Sequence, residues 1–199
     1  LGQHYFYIDG VYQNVYNRLT DDEILKYAQT VTQAMQKGYF KIIAHPEIFA
    51  YSRDWDEICD QAANQIIASA KQYNVIIEFN VNGIRNSKHK KKVWKTPDGK
   101  TNYSYPRREF FELVKKANMP VLISDDAHDP SNLFDQDTKE AYKIVNDIGL
   151  EIINKIFDIF KENNIDFNQV FTSELSMSFI VDNKYRNRFI ELLGMEFNL

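Results

Sequence analysis

Along this chain, short apolar runs alternate with longer stretches whose apolar residues recur three or four positions apart. In the segment 21–38, Ile24, Leu25, Ala28, Val31 and Met35 fall on one helical face, acidic residues fill the first turn, and Gly38 supplies a stop. Residues 39–47 (YFKIIAHPE) then read as a buried strand, 55–74 as a second helix and 75–83 (VIIEFNVNG) as a second strand. A third helix is expected over 105–118, a third strand over 119–128, and a fourth helix over 139–149, closed by Gly149. Repeated helix–strand alternation predicts an α/β domain with parallel strands joined by right-handed crossovers. The lysine-rich segment 85–104 breaks the rhythm and reads as a solvated loop or β-excursion. Beyond residue 150 the pattern changes: an amphipathic helix over 152–166, an alternating strand over 170–182 and a closing helix over 184–194. The expected organisation is one domain over 1–150 with a helix–strand–helix tail over 151–199.

Polar groups at the strand ends supply the candidate chemistry. The run VLIS (121–124) leads directly into Asp125, Asp126 and His128. A sheet interior gains nothing from such groups and would have to desolvate them. His45 follows IIA and His4 opens the strand-like HYFYID, so three of the four histidines share one placement. In parallel α/β domains ligands gather at the carboxyl ends of strands. Imidazole and carboxylate together make a donor set for zinc, manganese or iron, or for acid–base work. Asp125 reads as a cap or a support for its neighbours, and His89 in the lysine-rich segment has no such context.

Composition narrows the setting. The 199 residues are 44% hydrophobic with a formal net charge of −4, which allows a packed core and gives no reason to expect nucleic-acid or membrane binding. A single cysteine, Cys59, excludes disulfides and thiolate zinc sites within the chain. No apolar run approaches the roughly 20 residues that span a bilayer. A reducing, cytoplasmic setting is expected, and a homo-oligomer stays open.

The stretches HYFYID, IIAHPE, IIEFNVNGIR, YPRREFFELVKKANMPVLISDDAHDPSNL and AYKIVNDIGLE resemble the histidinol phosphatases of the polymerase-and-histidinol-phosphatase (PHP) superfamily. The resemblance implies the carboxy-terminal portion of a distorted (β/α)7 barrel with a divalent-metal centre at the strand ends. It further implies hydrolysis of a small phosphomonoester, with L-histidinol phosphate as the namesake substrate. Carried over by motif, His4 and His45 would share one ion, Asp126 would bind a second and His128 a third. Arg85, after N-V-N-G, and Arg107, after Tyr105-Pro106, are the candidates to grip the anionic substrate, because guanidinium forks match phosphate oxygens. The family's opening H-x-H motif and its bridging glutamate have no counterpart here. The chain is therefore expected to be a fragment or a truncated homologue with an incomplete site, unless donors such as Asp9, Glu78 or a second subunit complete it.

The tail stretch GLEIINKIFDIFKENNIDFNQVFTSELSMSFIVD resembles the regulatory ACT modules of aspartokinases, which would set Thr172, Ser173 and Glu174 near an effector site or a dimer interface. An ordinary helix–strand hairpin explains the same pattern. The alternative to a phosphatase is thus a non-catalytic regulatory or amino-acid-binding protein built on a degenerate barrel.

Overall fold

A computed structural model describes residues 1–153, 163–172 and 177–197. Its centre is a parallel sheet of three strands, β3 (Ile42–Ile43), β4 (Ile76–Asn80) and β7 (Val121–Ser124), in that order. Single parallel bridges extend it at both edges, Gly2 to Ala44 on one side and Val121 to Ile152 on the other. Residues 151–153 therefore belong to the main sheet, with the Ile153 amide donating to the Val121 carbonyl at 2.8 Å. The expected α/β class holds. Among the described residues the sheet stays open and no closed barrel is formed.

Helices cover the sheet as the periodicity demands. Helix α1 (Asp21–Gln36) opens with a reciprocal cap: the Glu23 amide donates to Thr20 Oγ1, and the Thr20 amide donates to Glu23 Oε2 at 2.7 Å. It buries Ile24, Tyr27, Ala28, Val31 and Met35. Helix α2 (Glu57–Gln72) presents Ala62, Ala63 and Ala70 among its buried residues, small side chains that let it pack closely against α1. Helices α4 (Arg108–Lys116) and α5 (Gln136–Ile148) complete the cover, and α5 ends at Gly149 in the left-handed conformation (φ 77°). No helix among the described residues is long and apolar enough to cross a membrane.

Two departures from the sequence reading have physical causes. The strand expected over 75–83 stops at Asn80, and Val81–His89 forms a helix, α3, where a loop was expected to begin at 85. Asn80 makes the switch, because its side-chain Oδ1 accepts from the Gly83 amide and caps the new helix. The rest of the lysine-rich segment is an antiparallel hairpin, β5 (Val93–Lys95) with β6 (Thr101–Tyr103). A second hairpin, β1 (Tyr5–Ile8) with β2 (Val11–Asn14), follows His4.

In the tail, one strand was expected over 170–182, and the chain forms two, β8 (Phe167–Thr172) and β9 (Met177–Val181), paired antiparallel. A lone strand would leave its backbone groups unpaired, and the hairpin satisfies them. Helix α6 (Arg186–Phe197) follows, and Ile165 and Phe189 form a small cluster of their own with Tyr185 and Leu192. Most of the helix expected over 152–166, together with Ser173 and Glu174, lies outside the described residues.

One glycine is demanded by packing. A Cβ built on Gly83 would stand 2.4 Å from Tyr105 Cδ2 and 2.8 Å from the Tyr105 carbonyl oxygen. Gly83→Ala should therefore destabilise the fold by about 1–3 kcal/mol, the usual range for overpacking. Urea unfolding would check this, and an unchanged midpoint would mean that Tyr105 yields freely.

Candidate functional site

The carboxyl ends of β3, β4 and β7 deliver His45, Asn80 and Asp126 to one edge of the sheet. His4 joins them from the segment that runs beside β3. His4 Nε2 and His45 Nε2 face each other at 3.1 Å, with the rings nearly parallel. Gly2 makes room for this, since an added Cβ would lie 3.3 Å from His45 Nε2. On the other side, Asp126 Oδ1 faces His128 Nε2 at 3.5 Å. Asp126 is buried, whereas the His128 side chain is 62% exposed. The four sequence-predicted histidine and aspartate residues thus gather at one end of the sheet, as two pairs.

Residues that the strand-end reading passed over join the pairs. Asn80 Nδ2 donates to Glu78 Oε2 and to Asp126 Oδ2, each at 3.0 Å, and Asn82 Nδ2 donates to the same Asp126 oxygen at 3.4 Å. Glu78 Oε2 also accepts the His45 amide at 3.0 Å. The signal was present in IIEFN, where Glu78 and Asn80 stand two residues apart and so share one face of a strand. Glu47, in IIAHPE, is fully buried with neither carboxyl oxygen hydrogen-bonded.

Electrostatics sets this cluster apart. Burial pushes the Glu78 carboxyl up to about 7 and the Glu47 carboxyl up to about 8. Burial, with His4 beside it, pushes the His45 imidazole down to about 4, so the ring is neutral at physiological pH. Among the described residues neither Glu78 nor Asp126 is paired with a lysine or arginine, and Asp126 Oδ1 and His45 Nδ1 accept no hydrogen bond. His45 (φ 36°) and Asp126 (φ 43°) both hold left-handed backbone, a strain of about 1–3 kcal/mol each that commonly marks working residues.

These donors fit a divalent cation in part. Two metal–nitrogen bonds of about 2.05 Å at a tetrahedral angle place the nitrogens about 3.3 Å apart, close to the 3.1 Å between His4 and His45. The unsatisfied Asp126 oxygen offers a hard donor of the other kind. Among the described residues, however, no three histidine, cysteine, aspartate or glutamate side chains surround a single point closely enough to hold an ion.

Of the two arginines assigned to substrate, Arg85 is occupied elsewhere. Arg85 donates from Nε to Asp135 Oδ2 at 2.8 Å, and from its terminal nitrogens to the Asp125 carbonyl, Asp125 Oδ1 and the Asn132 carbonyl. It clamps the 125–138 loop, and despite partial burial it holds the Asp135 carboxyl down at about 2. Asp125 completes the clamp by accepting from Thr138 Oγ1 and from the Phe134 amide, which explains the first carboxylate of the SDDAH run. Arg107 is buried beside Trp94.

No protein-family model matches the chain, and no curated protein matches it. Among solved structures, the chain is similar to the Listeria monocytogenes protein assigned as the histidinol phosphatase hisK, with 16% identity and a TM-score of 0.49. The match covers 69% of this chain and 56% of that one, so the chain spans little more than half of its length.

Two tests follow from the charge network. Arg85→Ala would leave Asp125 buried without its cation, and should cost about 3–5 kcal/mol of stability. A loss below 1 kcal/mol would show that the clamp is not structural. For Glu47 and Glu78 the folded-state values lie above the ordinary 4.5. Their contribution to stability is therefore complete at acid pH and is lost as pH rises through about 7 to 8. In buffer containing EDTA, the urea midpoint should fall between about pH 4.5 and 8, the interval between the ordinary and the folded-state values, and Glu47→Gln should flatten that fall. An identical slope in the variant would show that Glu47 holds no proton at neutral pH.

Proposed function

We propose that this cluster is a divalent-metal site and that the chain functions in the hydrolysis of a small phosphomonoester, with L-histidinol phosphate as the leading candidate. The reading rests on one observation above the others: His4 Nε2 and His45 Nε2 converge at 3.1 Å beside the buried carboxyls of Glu78 and Asp126, which pair with no lysine or arginine among the described residues. Such a place is costly for the fold unless a cation occupies it. His4 and His45 would hold one ion, and Asp126 and His128 would donate to neighbouring ions. Zinc, manganese and iron all suit this nitrogen and oxygen set. When bound, the metal would supply Lewis-acid polarisation of a phosphoryl oxygen and an acidified water.

The chain's own residues have supporting parts in this scheme. Glu78 accepts the His45 amide and so holds the left-handed turn that presents the imidazole. Asn80 and Asn82 saturate Asp126 Oδ2 and leave Oδ1 as the outward donor. The neutral His45 ring keeps its lone pair available at physiological pH. Residues 151–153 pair with the main sheet, and the tail beyond them is proposed as a separate helix–strand–helix module joined to this domain.

Because the donors come as two pairs, the chain is expected to bind at most one divalent ion and to release no phosphate from histidinol phosphate above background. Stable sites use three or four protein donors, and a pair offsets dehydration poorly. Metal analysis after dialysis against zinc or manganese, with a phosphate-release assay, measures both quantities. His45→Ala should abolish the bound ion. Retention of the ion in that variant would overturn the metal assignment, and clear turnover with two or three ions would show that further donors complete the centre.

A further inference from the structure

A second concentration of charge, opposite in sign, lies on the far side of an aromatic layer. Tyr51 packs on Tyr105 with ring centroids 5.9 Å apart, and Tyr105 in turn meets His45 at 6.0 Å. Beyond Tyr51 opens a cleft of about 360 Å³ lined by Arg18, Lys92, Trp94 and Arg107, among others. The chain as a whole carries a net charge of −4, so this grouping of cations is local.

Each of the three cations has donors left over. Arg107 is 4% exposed, and its guanidinium carbon lies 4.6 Å from the Trp94 ring centroid. Its terminal nitrogen donates to the Arg53 carbonyl at 3.2 Å, while its buried Nε makes no hydrogen bond. The nearest carboxylate oxygen, Glu109 Oε2, is 3.5 Å from that Nε and already accepts from Asn102 Nδ2 at 2.8 Å. Lys92 Nζ sits over the Tyr51 ring at 3.8 Å and donates to Ser52 Oγ at 2.9 Å, with no carboxylate partner among the described residues. Arg18 is exposed and makes no hydrogen bond or ion pair among the described residues. Arg53, by contrast, is neutralised by Asp21 and Asp56, and the one acidic side chain lining the cleft is the exposed Asp54.

Burying a guanidinium beside two further cations is unfavourable unless an anion joins them. We propose that this cleft binds an oxyanion, the phosphate or carboxylate of a small molecule, gripped by Arg107 and Lys92 and closed over by Arg18. Arg107 supplies its unused donors from a fixed position, stacked on Trp94, which suits a planar or tetrahedral oxyanion. The site needs no metal and goes beyond the phosphatase reading.

The chain reports on this cleft directly, because both of its tryptophans flank Arg107, Trp94 at 4.6 Å and Trp55 at 5.9 Å. With EDTA present and ionic strength held constant with potassium chloride, inorganic phosphate and malonate would be titrated while tryptophan fluorescence is followed. A saturable change with at least one of them is expected, phosphate alone marking a phosphate site and malonate a carboxylate site. The Kd should weaken at least tenfold in Arg18→Gln and in Lys92→Met. Arg18→Gln decides the matter if Lys92→Met fails to fold, since Arg18 makes no bond that the fold depends on. No saturable change with either anion, or one of unaltered Kd in folded Arg18→Gln, would overturn the proposal. EDTA keeps this outcome separate from that of the metal experiment.

Discussion

The side chain of Asn80 joins everything else at the strand ends. Its amide nitrogen donates one hydrogen to Glu78 and the other to Asp126, which ties β4 to the loop after β7. Its oxygen accepts the Gly83 amide and starts α3 without a connecting loop. A single buried amide thereby uses both hydrogens and one acceptor to hold two carboxyls at a fixed separation. A buried polar network of this kind is stable only while every member is satisfied. Loss of Asn80 would free two carboxyls and a helix terminus together.

Arginine placement explains why the cluster keeps its negative character. Arg85 lies one turn into α3 and points toward the 125–138 loop, where Asp125, Asp135 and backbone carbonyls consume its donors. The guanidinium that follows the β4 strand end therefore neutralises Asp125 rather than Asp126. Of the two adjacent aspartates, one closes a structural clamp and the other faces His128 with an unsatisfied oxygen.

Between the anionic cluster and the cationic cleft stand Tyr16, Tyr51 and Tyr105, packed edge to face or tilted at 4.9 to 5.9 Å. Aromatic rings provide low-dielectric separation while their hydroxyls still make polar contacts, as where the Tyr51 hydroxyl donates to Asn86 Oδ1 at 2.9 Å. The close approach of Gly83 to Tyr105 keeps that layer in register with α3.

Periodicity in the sequence was enough to determine the helices over 21–36, 57–72, 108–116 and 136–148 to within a few residues, and the parallel order of the strands between them. Strand polarity also put His45, Asp126 and His128 at one end of the sheet, whereas His4, which precedes β1, reaches that end through the bridge from Gly2 to Ala44. What periodicity could not decide were relationships between side chains distant in sequence. The pairing of Arg85 with Asp125 and Asp135, 40 and 50 residues away, removed it from the strand-end cluster, and no local pattern encodes that choice. The same holds for Asn80, whose capping hydrogen bond turned the end of a strand into a helix against the loop-forming lysines that follow. Local periodicity reads backbone conformation. The direction in which a buried charge or amide turns is settled by whichever partner the folded chain brings within hydrogen-bonding distance, and only the tertiary structure supplies it.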